Sequence, residues 1–242
     1  MATYVSLANE LLVRLNEVPL DSQGDGFSTV RNVQALAKDA INSSIRNILQ
    51  NGQEWPFLKT TFTQTLSAGT RLYDFPADYS GADWETFYLK KLSSADNSPM
   101  FLPAINYDEY IQKYRSVDDT GDQTGMSAPS IVYQTNENKF GVTPIPDDSY
   151  EVEFIYWSYP SDLVEYNDTA IIPDRFRHVV IDGAMMYMMR FRSNEQSANI
   201  HQQNFENGIK LMRRILIDEQ LRIRSTVISR SNTNTSTLGR VN

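Results

Sequence analysis

The hydrophobic period of this 242-residue chain changes twice along its length, and that double change limits the folds open to it more than any motif does. Up to about Gln50 the apolar residues recur at spacings of three and four. Between Glu54 and Ala170 they tend to alternate with polar ones, and from Ile171 the helical spacing returns. A period of 3.6 marks a helix with one buried face, and a period of two marks a half-buried strand. The pattern predicts an α+β protein. Residues 1–54 and 171–224 form one helical bundle, residues 55–170 an inserted antiparallel β unit, and residues 225–242 an extended tail.

The first helix is expected from Thr3 to about Val18, with Leu7, Ala8, Leu11, Leu12 and Leu15 on one face and Pro19 as its limit. A second starts from a cap at Ser28 or Thr29 and carries Val30, Val33, Ala37, Ala40, Ile41, Ile45 and Ile48 to the stop signal Asn51-Gly52. Strands are expected over 60–66, 71–75, 84–92, 131–135, 140–143 and 150–159, where β-branched and aromatic residues lie between turn formers. "NYDEYIQKYR" reads as a short inserted helix and "SVDDTGDQTGMS" as a mobile loop. Pro173 suits the first position of a third long helix. Its stripe is Phe176, Val179, Val180, Gly183, Ala184, Tyr187, Met188 and Phe191, while Met185, Met186 and Met189 occupy another side. A helix apolar around most of its girth is buried on two sides, which makes these three methionines the candidate subunit interface. "SNEQ" at 193–196 has the form of a capping box opening a fourth helix. Gly183 and Gly208 sit inside helices, where glycine costs about 1 kcal/mol, and close helix approach is the simplest compensation.

The chain has no cysteine, which excludes disulfides, thiolate metal sites and thiol nucleophiles. Met1 to Val18 lacks the basic flank and continuous apolar core of a signal peptide. Phe176 to Phe191, the most apolar segment, is too short and too charged to span a bilayer, so a soluble protein with no membrane partner is expected. The net charge is -8, and Arg222, Arg224, Arg230 and Arg240 are the only charged residues from Leu221 onward, so the remainder carries -12 (-8 minus +4). An acidic body argues against diffuse attraction to nucleic acid.

No chemistry-bearing motif in the chain is complete. Asp21, Gln23, Asp25 and Gly26 start like a calcium loop, but Asn32 stands where the bidentate glutamate belongs, and Gln123 breaks the same pattern around Asp118 and Asp122. Asp174, His178 and Asp182 share a helix face without a nucleophile elbow. "GDGFS" has no phosphate-loop spacing. The pairs Asp147-Asp148 and Asp118-Asp119 are neighbours in loops, unlike carboxylates held across a cleft. No catalytic residue, metal site or cofactor is assigned. One binding alternative stays open: Trp84, Tyr156, Trp157 and Tyr159 could form a platform for sugars or bases, as in a carbohydrate- or receptor-binding β domain.

The order of parts resembles the head-to-tail adaptor proteins of tailed bacteriophages, the tail-tubular A class. The residues that carry the likeness are Trp55; Tyr73, Pro76, Asp78 and Tyr79; Pro129, Tyr133, Phe140, Pro144, Pro146, Asp147, Tyr150, Tyr156, Pro160 and Leu163; and then "IIPDRFRHVVIDGAMMY". The resemblance implies a non-enzymatic virion protein made in the host cytoplasm, with twelve copies ringed between the portal and the tail nozzle. DNA would pass through the bore without specific binding. It also implies a C-terminal extension that grips the portal. In this chain that extension carries Arg224, Arg230 and Arg240 with the isolated apolar residues Val227, Ile228, Leu238 and Val241. Such a segment cannot bury enough surface to fold alone, yet it can order on an acidic, grooved partner.

Overall fold

Thr3 begins the first helix as its sequence position suggests: its Oγ1 accepts the Ser6 N–H at 3.4 Å, and α1 runs from Tyr4 to Arg14. The structure is a computed structural model that describes residues 1–20, 27, 30–51, 54–92, 98–118 and 125–217. The second helix, α2, spans Val33–Gln50 and is preceded by Asn32 in a left-handed conformation (φ 56°) with no side-chain cap. The expected caps Ser28 and Thr29 lie outside the described residues, as do the calcium-like loop at 21–26 and the tail.

The inserted unit is more elaborate than one antiparallel sheet. One sheet orders β1 (Lys59–Leu66), β9 (Tyr150–Ser158), β4 (Tyr88–Lys91) and β5 (Met100–Phe101), with β3 (Tyr79–Ala82) also paired to β9. The second orders β2 (Leu72–Asp74), β8 (Lys139–Thr143), β7 (Ile131–Gln134) and β6 (Ala104–Ile105). The β6–β7 pair is parallel, which corrects the all-antiparallel expectation. β3, β5 and β6 were missed by periodicity because strands of two to four residues hold too few alternations to register. Along β9, Tyr150, Val152, Phe154 and Tyr156 are buried while Glu151, Glu153, Ile155 and Trp157 face the other way, as alternation requires. Phe154 stacks on Phe87 at 4.3 Å and meets Phe140 of the second sheet edge-on at 5.5 Å, so one apolar core joins both sheets. Two short helices, α3 (Tyr107–Lys113) and α4 (Arg115–Asp118), follow β6, so the expected loop at 116–127 starts as helix.

Helices α5 (Arg177–Phe191) and α6 (Glu195–Leu216) complete the bundle. Pro173 precedes a 3-10 turn at Asp174–Phe176 instead of opening the helix itself. The cap of α6 is Asn194, whose side chain accepts the Ser197 N–H at 3.1 Å; Ser193 makes the left-handed turn before it. The interior glycines are close-approach points. A methyl group at Gly183 would overlap Ser44 Oγ and come within 2.7 Å of the Phe205 ring, and one at Gly208 would come within 2.7 Å of Val179. Ser44 Oγ donates to the Val180 carbonyl at 2.8 Å, tying α2 to α5. Residues of all four long helices share one core with Trp55, whose Nε1 donates to the Ile48 carbonyl at 3.0 Å. The fold is thus mixed α and β, with the helical core separate from the core of the inserted sheets.

The path of the chain gives the subunit two unlike ends. α2 points at the β unit, where Gln50 Nε2 reaches Tyr159 Oη at 3.1 Å. α5 runs alongside α2 in the same direction, with Ser44 by Val180 and Asn47 by Tyr187. α6 then returns antiparallel, with Gly208 against Val179. Its last residues therefore lie at the end of the bundle away from the sheets. Among the described residues no helix is long and apolar enough to cross a membrane.

Candidate assembly surfaces

The carboxylates singled out in the sequence are used to shape turns and packing. Asp147 accepts the Tyr150 hydroxyl at 2.7 Å; burial and then that carboxylate push the Tyr150 hydroxyl up to about 12. Asp148 accepts the Ser149 N–H at 2.7 Å and faces Lys91 at 3.4 Å. Both hold the turn that enters β9. Asp118 is buried and accepts from Tyr110 Oη at 3.1 Å and Thr143 Oγ1 at 3.3 Å, while Asp119 lies outside the described residues. The face Asp174–His178–Asp182 is divided: His178 is exposed, and Asp182 meets His201 Nδ1 of α6 at 3.1 Å. Among the described residues no group of His, Asp or Glu converges as a metal would need. Replacing His178 by Ala, or Asp147 and Asp148 together by Ala, should leave particle assembly intact. The second change should cost about 1 kcal/mol of stability through the lost Tyr150 bond. Assembly yield and a melting curve measure both, and a catalysed turnover lost in either variant would defeat the structural reading.

The four rings proposed as a platform do not act together. Tyr156 points into the β core with its hydroxyl on Asp78 at 3.0 Å, and it cannot reach a surface ligand. Trp84, Trp157 and Tyr159 line a cleft of about 600 Å³ between α2 and the sheets, with Gln50, Glu54, Gln134 and Asn138 as its polar lining. Trp84 stacks on Phe87 at 5.0 Å, and Lys59 Nζ lies 4.9 Å from the Trp157 ring centre. Each of these rings thus also has packing work at the joint.

The methionine face of α5 is taken up by its own bundle. Met185 is buried in the helical core, Met189 packs against that core, and Met186 is buried beside a groove of about 510 Å³ formed by α2, α5 and α6. Within the single chain none of the three stands exposed. The groove is rimmed by Arg190, Lys210 and Arg213, with Glu206 as its acid. The large apolar side chains that do reach solvent in this region are Phe191 and Ile200, at the α5–α6 turn and the start of α6.

A family model described as the SU10 adaptor protein matches residues 2–231, nearly the whole chain. The chain belongs to the SU10 adaptor protein family. No curated protein matches it. Family membership makes it a bacteriophage adaptor with a structural role in the virion, associated with other head and tail components. In this SU10 adaptor family member the matched span takes in Arg224, Val227, Ile228 and Arg230 of the tail, while Leu238, Arg240 and Val241 lie beyond it. The adaptor also has surfaces that sequence reading did not single out. Tyr88, Leu92, Met100 and Phe101 are exposed together around β4 and β5, and β1 presents exposed threonines along a sheet edge. "TTFTQT", uncharged between Lys59 and Leu66, was the one available signal for the second.

Proposed function

We propose that this adaptor forms a ring, of twelve copies as its family resemblance implies, between the phage portal and the tail nozzle, as part of the conduit for DNA ejection. The observation that carries this reading is the two-ended subunit. The sheets stand at one end of the bundle and the described part of α6 ends at the other, so a single copy has separate places for a partner above and a partner below. The tail grips the portal through Arg224, Arg230 and Arg240, with Val227, Ile228, Leu238 and Val241 entering pockets. A single tail binds weakly after its ordering cost, while several tails in a ring act at high effective concentration. The acidic body suits a bore that passes DNA without holding it, because like charge repels phosphate. Within a ring, the exposed side chains of Phe191 and Ile200 join Met185, Met186 and Met189 at the interface between copies.

Deleting residues 225–242 tests the portal grip. The truncated protein should keep its circular dichroism spectrum and melting temperature, yet fail to sediment with portal-bearing heads. Undiminished attachment of the truncated protein to heads would overturn the assignment. The cleft lined by Trp84, Trp157 and Tyr159 supports a second reading, a carbohydrate- or receptor-binding β domain. Specific glycan capture by the full chain, lost on Trp157→Ala, would favour that reading.

A further inference from the structure

The path β1-β9-β4-β5 of the five-stranded sheet ends on β1 and β5, and these two edges are built differently. β1 pairs with β9 in unbroken register from Lys59 opposite Trp157 to Leu66 opposite Tyr150. Between those ends it has no charge, no proline and no bulge. The direction of its peptide groups follows from β9. Ile155 donates its N–H to Thr86 Oγ1 at 2.9 Å and accepts the Asp83 N–H at 2.9 Å, both on the side away from β1. At the Thr61–Ile155 pair the backbone groups therefore point apart, and by ladder alternation Thr61, Thr63 and Thr65 turn N–H and C=O toward the free edge. The Thr65 carbonyl accepts Gln64 Nε2 at 2.9 Å; among the described residues no hydrogen bond occupies the outward groups of Thr61 and Thr63. All three threonines are exposed. A long edge strand without lysine, proline or bulge along its open stretch is a template for another strand.

The opposite edge is short and complementary. β5 lies between Pro99 and Pro103, which limits how far it can pair. Phe101 is opposite Tyr88, and Tyr88 is opposite Glu153. The same alternation turns the Phe101 N–H and C=O outward, and Leu102 N–H bonding inward to the Phe87 carbonyl at 2.8 Å agrees with it. Tyr88, Met100 and Phe101 are 44%, 44% and 46% exposed. Apolar clusters exposed in this way mark contact sites. The charges have a matching polarity: β9, beside the β1 edge, carries Glu151 and Glu153, and β4, beside the β5 edge, carries Lys90 and Lys91.

We propose that the β5 edge of one subunit docks on the β1 edge of a second copy, continuing the sheet from subunit to subunit. Strand direction allows it. β1–β9, β9–β4 and β4–β5 are all antiparallel, so β5 meets the next β1 antiparallel when copies are related head to tail. Tyr88, Phe101 and Thr63 lie on one sheet face, which lays the exposed rings over threonine methyl groups as cross-strand pairs. Two different edges that recognise each other are what a closed, heterologous ring requires. The pairing rests on the ring reading above and names a contact within it.

Two full-length variants test it. Thr63→Pro removes a donor that bonds nothing in the subunit, and Phe101→Asp places charge on the other edge. Each should weaken self-association about tenfold or more in sedimentation velocity, with the melting temperature held near wild type. An equimolar mixture should give dimers and nothing larger, because each variant keeps one working edge. If Thr63→Pro loses the fold, Thr63→Lys supplies the same block without touching the backbone. Wild-type rings accompanied by unimpaired Thr63→Pro or Thr63→Lys rings would overturn the pairing alone. Dimers from Phe101→Asp by itself would mean that β1 pairs with β1, and would overturn it too. A wild-type protein that stays monomeric both free and on portal-bearing heads would overturn the ring reading, and the pairing with it.

Discussion

Phe154→Ala is expected to lower stability by about 3–5 kcal/mol, the range for removing a large buried ring. Phe154 is fully buried at the centre of the β unit, stacked on Phe87 at 4.3 Å and set edge-on to Phe140 at 5.5 Å and Phe62 at 5.5 Å. Those partners come from both sheets, so the ring is where the layers are joined. Alanine removes the transfer energy of the ring and leaves a hole that the paired strands cannot close without breaking register. The loss is read as a shift of the urea midpoint. Phe154→Leu, which keeps most of the volume, should recover a good part of it. A loss below about 1 kcal/mol for alanine would mean that the sheets do not share this core.

Gly183→Ala is the second large effect, and its sign is informative. In an open helix position alanine would raise stability by about 1 kcal/mol over glycine. Here the added methyl overlaps Ser44 Oγ and comes within 2.7 Å of the Phe205 ring, so α2 and α6 must both give way. Overpacking of this kind costs about 1–3 kcal/mol, and moving Ser44 also breaks its 2.8 Å bond to the Val180 carbonyl. A net loss of about 2 kcal/mol is expected, which lowers the melting temperature by about 4–8 °C in a chain of this size. Ser44→Ala should relieve part of the clash when combined with it. A variant more stable than wild type would show that the helices do not touch at Gly183.

Much of this architecture was legible because it rests on local pattern. Leu7, Ala8, Leu11 and Leu12 lie on the buried face of α1, and Tyr150, Val152, Phe154 and Tyr156 on the buried face of β9, since spacing alone decides which side of an element is apolar. The glycines at 183 and 208 likewise stood out, because a residue that weakens a helix needs a packing reason. The family likeness came from turn and aromatic residues spread over the whole chain, which the matched span of 2–231 bears out.

Periodicity reports that a face is buried and is silent on what buries it. Met185, Met186 and Met189 read as a second apolar side available to a neighbour; in the folded chain Met185 lies in the helical core and Met186 beside the groove between α2, α5 and α6, contacts that spacing along one helix cannot specify. The rings near Trp157 read as one platform, and strand alternation sent Tyr156 inward while Trp157 stayed at the cleft. The cap of α6 fell at Asn194, one residue past the Ser193 that opens the capping-box pattern. Which strands end up at the edges was likewise a tertiary outcome. β1 and β5 end the sheet only because β9 pairs with β1 on one side and with β3 and β4 on the other, a choice made by long-range pairing and by the shared core beneath it.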